Sequence, residues 1–330
     1  MKLGLDTYSY HYAAGLWEYA PRENAPMTVA HFLRKAAELG LDGVQLCDSR
    51  HLDSLEYGYV SGLRERAESL GLYLELGTSG TNPEHLQNMV RAAHVLGSSI
   101  VRTFVGRPRP TTAQATVDLL TAVAADLAQV LPVCARYNVK LALENHQDLT
   151  APELLQLLQL VGGGPLTVCF DTGNPLALLE DPLEAARLLA PHITSVHLKD
   201  YQVVATSQGF VLVGCALGEG VVELAAVIEV LSSHAPSATL NVESPVERHF
   251  VPALEEQHLQ RLPSASARDL ARTLRLVRDR GLPHMPVLPL DRGATEAEVL
   301  AEEDELVLRS VRWAQQTLNR PAAEPANAGG

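Results

Sequence analysis

Short apolar runs alternate along this chain with longer segments whose apolar residues recur three and four positions apart. The alternation persists from the first residue to about Pro245. The short runs predict strands at 3–6, 43–46, 73–76, 100–104, 141–144, 166–171, 195–198 and 239–243. The longer ones predict helices at 28–39, 60–70, 83–96, 113–136, 151–161, 183–189 and 224–232. Three helices stop at a glycine just before a strand, at Gly40, Gly71 and Gly97. Glycine accepts the left-handed backbone that closes a helix, so these are boundaries with a mechanism. Strands that each lead into a helix pair in parallel through right-handed crossovers. An open doubly wound sheet would carry a glycine fingerprint after its first strand, but Thr7-Tyr8-Ser9-Tyr10-His11 stands there. The pattern therefore predicts an α/β fold, a (β/α)8 TIM barrel over residues 1–250.

Beyond the barrel the pattern changes. Residues 253–280 and 295–318 read as helices joined by a stretch holding Pro283, Pro286 and Pro289. They predict a C-terminal helical extension over 251–318, packed on the barrel, its first unit completing the outer ring. Residues 319–330 are mostly Pro, Ala, Asn and Gly, a composition expected to be disordered.

Composition narrows the class of function. The 330 residues carry 26 Lys and Arg against 39 Asp and Glu, a net charge of −13, with 5% aromatics. Such a chain is poorly suited to a phosphate backbone, so nucleic acid is not an expected partner. No apolar run suggests a membrane span, and the chain opens directly on strand-like sequence without a targeting segment. Cys47, Cys134, Cys169 and Cys215 are scattered in apolar surroundings without metal spacing. They read as reduced thiols of a cytoplasmic protein.

The chemistry is expected at the C-terminal ends of the strands, where barrel enzymes carry their reactive groups. Four successive strands end LALENH, VCFDTGN, SVHLKD and NVESP, offering Glu144, Asp171, His197 and Glu243. Each alone has an ordinary reading: a paired buried acid, a helix cap, a satisfied core histidine, a solvated strand end. Together they face one rim, and a charge in so apolar a run is costly unless something charged meets it. Three carboxylates and an imidazole suit one divalent cation, with Mn2+ favoured over Mg2+, Co2+ or Zn2+. His146, Asn174 and Lys199 stand beside these ligands as candidate substrate contacts. Tyr8, His11, Glu75 and Arg102 are further strand-end candidates, whereas Arg107 and Arg109 read as a solvated turn.

These segments, with the later Gly218-Glu219-Gly220, resemble the xylose-isomerase-like barrels, the sugar phosphate isomerase/epimerase family. That family includes ketose 3-epimerases, hydroxypyruvate isomerases and inosose dehydratases. The resemblance covers roughly residues 1–245. It implies one divalent metal on Glu144, Asp171, His197 and Glu243, with Glu144 and Glu243 also an acid–base pair on opposite faces of the substrate. Two positions depart from the family: Asn174 stands where members often have histidine, and Lys199-Asp200 where the epimerases have a loop with an arginine. Both touch substrate-binding positions.

The leading expectation is a metal-dependent isomerase or epimerase acting on a ketose or keto sugar acid through an enediolate. A decarboxylase or dehydratase of a 3-oxo sugar acid or inosose would use the same residues. A repair nuclease of the endonuclease IV type is a remote alternative, since its cluster is rich in histidine and this one is not. No Gly-rich phosphate cradle stands out, which favours an unphosphorylated sugar or sugar acid; association of identical chains stays open.

Overall fold

The computed structural model describes residues 1–16 and 23–320. Eight parallel strands close a barrel: β1 (Lys2–Asp6), β2 (Gly43–Leu46), β3 (Tyr73–Gly77), β4 (Ile100–Thr103), β5 (Lys140–Glu144), β6 (Leu166–Asp171), β7 (Ile193–Leu198) and β10 (Thr239–Val242). Outside them lie α1 (Val29–Glu38), α2 (Tyr57–Ser69), α3 (Pro83–Leu96), α4 (Ala113–Tyr137), α5 (Ala151–Val161), α6 (Pro182–Leu189) and α7 (Leu224–His234). Gly40, Gly71 and Gly97 take φ of 68°, 71° and 79°, the left-handed turn expected of them. Contrary to the sequence expectation, α4 is long and apolar enough by composition to cross a membrane. Here it belongs to the barrel's outer ring, packed between α3 and α5.

The strands alternate as a barrel demands, with Leu3 and Leu5 fully buried among the core side chains. The barrel floor is tight. A Cβ on Gly4 would lie 2.1 Å from the Tyr73 hydroxyl, and one on Gly43 2.2 Å from its ring. Two glycines thus clear the space that Tyr73 fills.

Two features differ from the sequence expectation. Between β7 and α7 the chain forms a hairpin, β8 (Tyr201–Thr206) and β9 (Gly209–Gly214), to which β11 (Arg248–Val251) adds in antiparallel order. The extension follows as α8 (Glu256–Gln260), α9 (Ala267–Arg280) and α10 (Glu296–Thr317). The first long helix, α9, packs on β8, whereas α10 packs on β10 and on the turn after β1, taking the ring position expected of the first helical unit. Buried Glu303 of α10 accepts hydrogen bonds from the backbone N–H groups of Tyr12 and Ala13, at 2.8 and 3.0 Å. The final helix thereby fastens the loop that carries Tyr8. Of the tail, residues 321–330 lie outside the described residues. Arg320 is held, pairing with Asp42 at 2.6 Å and donating to the Met1 carbonyl at 2.6 Å.

Candidate active site

Strand register brings the four strand-end groups together. Asp171 of β6 stands opposite His197 of β7, and Glu144 of β5 opposite Cys169 of β6. Glu243 follows the end of β10. Their exposures are 1% for Glu144, 0% for Asp171 and His197, and 4% for Glu243, so all four are withdrawn from bulk water. His197 Nδ1 lies 2.7 Å from Glu243 Oε2, 3.6 Å from Glu144 Oε1 and 3.9 Å from Asp171 Oδ2.

Two permanent cations enter the same cluster. Arg102 of β4 pairs through Nε with Glu144, and Lys199 Nζ sits 3.2 Å from Asp171 Oδ2 and 2.8 Å from Glu243 Oε1. Burial works against each charge, but Arg102 and His197 hold Glu144 well below the usual carboxylate range. Lys199 and His197 likewise pull Glu243 down to about 2 against the cost of burial. For Asp171 burial wins, and its carboxyl is pushed up to about 6 although Lys199 opposes. Burial also raises Asp6, 3.7 Å from His197 Nε2, to about 7.

Hydrogen bonding is incomplete within this cluster. Asp171 Oδ1 accepts from the backbone of Gly173 and Asn174, at 2.7 and 2.9 Å. Asp171 Oδ2, Glu243 Oε2 and His197 Nδ1 are buried without a hydrogen-bond partner, as is Asp6 Oδ2. Buried polar atoms are rarely left so, and here they converge. Asp171, His197 and Glu243 offer ligand atoms within 4.8 Å of one another, and Glu144, Cys169 and His197 do the same. Asp6, Glu144, Asp171 and Glu243 thus outnumber the two permanent cations, Arg102 and Lys199, that meet them. These donors fit one divalent cation in number, charge and chemistry.

Above the cluster opens a cavity of about 330 Å3, lined among others by Tyr8, Arg102, His146, Lys199, Glu247 and His249. The groups predicted as substrate contacts all reach it. His146 stacks on Phe104 with ring centroids 4.2 Å apart, and burial lowers its imidazole to about 4. Asn174 donates from Nδ2 to Glu144 Oε1 at 3.2 Å. Lys199 turns to Asp171 and Glu243, not to its neighbour Asp200. Asp200 instead accepts from the backbone N–H groups of Tyr201, Gly218, Gly220 and Val222, organising the Gly218–Gly220 loop.

Residues 33–275 match the model of the xylose isomerase-like TIM barrel family. This chain belongs to that family. The 3-oxo-isoapionate decarboxylase of Pectobacterium atrosepticum is 32% identical over 225 residues, covering 68% of this chain and 78% of that protein. Among solved structures, D-psicose 3-epimerase superposes with a TM-score of 0.62 at 16% identity, over 96% of this chain and 99% of that one. The IOLI protein with a bound zinc atom superposes with a TM-score of 0.58 at 13% identity, over 87% and 100%. These two likenesses concern the fold.

Other residues of this family member fall differently from their sequence reading. Arg102 and Tyr8 line the cavity, but His11 is buried outside its lining, stacked on Tyr8 with ring centroids 5.2 Å apart, and Glu75 belongs to the barrel floor. Arg109 is no solvated turn: its side chain is 7% exposed and pairs with Glu153 at 2.7 Å, while the exposed Arg107 meets Asp126 at 2.8 Å. Glu247 and His249 are cavity residues that sequence reasoning missed. Glu247 accepts from the Tyr201 hydroxyl at 2.7 Å and the Tyr8 hydroxyl at 3.4 Å. The continuous apolar run 210–213 of β9 was the available signal, since it is the strand that carries β11 to the rim.

Proposed function

We propose that this chain is a divalent-metal-dependent decarboxylase of a 3-oxo sugar acid. The observation that carries the reading is the buried Lys199 ammonium, set between Asp171 and Glu243 and facing the cavity. It supplies a fixed cation where a substrate carboxylate would enter. The kinship with a 3-oxo-isoapionate decarboxylase supports the same choice.

Glu144, Asp171, His197 and Glu243 would hold the cation, of which Mn2+ is the favoured identity. When bound, it supplies a Lewis acid for a carbonyl oxygen and its neighbouring hydroxyl. Lys199 binds the carboxylate and orients the bond that breaks. The electron pair of the bond between the carboxyl carbon and C2 becomes the C2=C3 double bond as the carbonyl pair moves onto the C3 oxygen, CO2 leaves, and C2 of the enediolate then takes a proton from solvent while the carbonyl re-forms. Asn174 and Arg102 hold Glu144 from two sides, His146 is kept neutral on its Phe104 stack, and the Glu247 carboxylate accepts sugar hydroxyls.

A second reading is the isomerase or epimerase, with Glu144 and Glu243 as acid–base pair on opposite faces of the substrate. The convergence of both glutamates on His197 favours it. Against it, each glutamate is already bound to a permanent cation, which lowers its basicity. The deciding experiment is a panel of 3-oxo sugar acids and ketoses with Mn2+-loaded protein, followed by NMR in D2O. Release of CO2 from an acid is the expected result. Deuterium entry next to a ketose carbonyl, with no CO2 from any acid, would overturn the decarboxylase in favour of the second reading.

A further inference from the structure

Below the rim, the barrel holds a second buried carboxylate, Glu75, that the chemistry above does not use. Its surroundings are all donors. Glu75 Oε2 accepts from Gln45 Nε2 at 2.7 Å, Ser195 Oγ at 2.7 Å and Asn241 Nδ2 at 3.1 Å, while Oε1 accepts from Thr239 Oγ1. On the far side the Tyr73 hydroxyl donates to Asn241 Oδ1 at 2.7 Å, which turns the Asn241 amide N–H toward Glu75. The side-chain amide of Gln45 spans from this carboxylate to His197, whose Nε2 lies 2.7 Å from Gln45 Oε1.

The direction of every bond in this network follows from one observation: Glu75 accepts from all four of its neighbours. Gln45 must therefore point Nε2 at Glu75 and Oε1 at His197. An amide oxygen only accepts in its turn, so His197 must carry a proton on Nε2. The nitrogen left to face Glu144, Asp171 and Glu243 is Nδ1, one of the buried atoms without a hydrogen-bond partner. If the Gln45 amide were reversed, its N–H would demand a lone pair on His197 Nε2, and the proton of a neutral imidazole would move to Nδ1. The ligand atom would then be lost. A histidine ligand is commonly set by the hydrogen bond of its other nitrogen. Here that hydrogen bond goes to an amide, which has no preferred orientation of its own and takes one from Glu75, directly and through Ser195, whose Oγ accepts from the same Nε2 at 3.1 Å while donating to Glu75.

We infer that Glu75 is a positioning residue for the metal centre, acting through Gln45 to make Nδ1 the ligating nitrogen of His197. The inference rests on the metal-binding reading of the quartet and reaches beyond it to a carboxylate in the barrel floor that touches neither cation nor substrate. Breaking the link at either end should have the same effect, and restoring an acceptor should cancel it. Glu75→Leu removes the acceptor, and Gln45→Leu removes the intermediary while leaving Glu75 its other donors. Glu75→Gln keeps a carbonyl oxygen for Gln45 Nε2, and its new N–H can donate to Thr239 Oγ1.

The test uses full-length protein, 113Cd2+ as probe and two readouts: cadmium affinity, and 113Cd–15N coupling to show which ring nitrogen is bound. The unaltered chain should bind one ion through His197 Nδ1. Glu75→Leu and Gln45→Leu should each lose about 10- to 100-fold in affinity, with the Nδ1 coupling weakened or replaced, while Glu75→Gln stays close to the unaltered chain. Thermal melting of the metal-free variants guards against misfolding; should Glu75→Leu not fold, Gln45→Leu decides alone. Nδ1 coupling and affinity unchanged in folded Gln45→Leu would overturn the inference and leave the metal site standing. Failure of the unaltered chain to bind cadmium at the quartet would instead overturn the metal reading itself.

Discussion

The rim and the floor of this barrel both bury carboxylates, and they treat them in opposite ways. On the floor Glu75 meets donors from four residues, Gln45, Ser195, Thr239 and Asn241, and no atom of it is left over. At the rim, Asp6, Glu144, Asp171 and Glu243 crowd about one imidazole and two cations, and Asp171 Oδ2, Glu243 Oε2 and His197 Nδ1 remain without hydrogen bonds. A matched carboxylate stabilises a structure by itself, whereas a surplus of acceptors is stable only with something more to hold. The difference separates scaffold from site without reference to any relative.

His197 joins the two regions, and removing it should have the largest effect. His197→Ala should lower Mn2+ affinity by more than the roughly 100-fold seen for outer-shell changes, with the barrel still folded. Equilibrium dialysis and circular dichroism read the two quantities separately; loss of the folded signal with metal retained would place His197 in the scaffold. Next come the glutamates. With Mn2+ saturating, the decarboxylase reading expects one of Glu144→Gln and Glu243→Gln to keep most of its turnover. If both fall by the roughly 100-fold typical of a lost general base with metal intact, the rim works as a two-base epimerase.

Lys199→Met probes a cation of the rim. It should raise KM for an acid substrate by about 10- to 100-fold, the worth of a hydrogen bond to a charged group, and leave the inhibition constant of an uncharged sugar alone. A uniform fall in kcat without a change in KM would show that Lys199 acts only through Asp171 and Glu243. The smallest effect concerns Asp148, a rim acid outside the quartet, whose Oδ2 accepts from Gly106 N–H at 2.7 Å. Burial lifts its carboxyl to about 7 from an ordinary 3.8. The folded chain therefore holds this proton more tightly than the unfolded one, and the contribution to stability falls as pH rises through that window. Asp148→Asn should flatten that part of the stability curve in urea titrations between pH 4 and 7; an unchanged slope would show that Asp148 ionises as freely folded as unfolded.

Local pattern made much of this molecule legible, and its limits are as physical. The strands and the first seven helices announce themselves because periodicity and caps are local properties, and the glycines at 40, 71 and 97 mark true ends. Strand β11 was hidden because its partner β9 lies some 35 residues earlier, whereas the β8–β9 hairpin pairs locally and was missed although its apolar run was there to be read. The ring helix was misassigned because α9 and α10 are both amphipathic, and only what they touch tells them apart. Arg109 read as solvated because nothing adjacent in sequence announces Glu153, its partner 44 positions on, beyond α4 and β5.

By itself, the sequence determined that parallel strands alternate with helices, and hence that the strand-end residues Glu144, Asp171, His197 and Glu243 share one rim. That follows from periods of two and 3.6 residues, which act over a few neighbours. Only the tertiary structure decided that Arg102 and Lys199 occupy the glutamates, that Glu247 and His249 come over the cavity, and that Glu75 reaches His197 through Gln45. Those relations join residues from 30 to about 150 positions apart, across strands whose spacing is set by barrel closure. Closure is a property of the whole sheet, and no local stretch of chain encodes it.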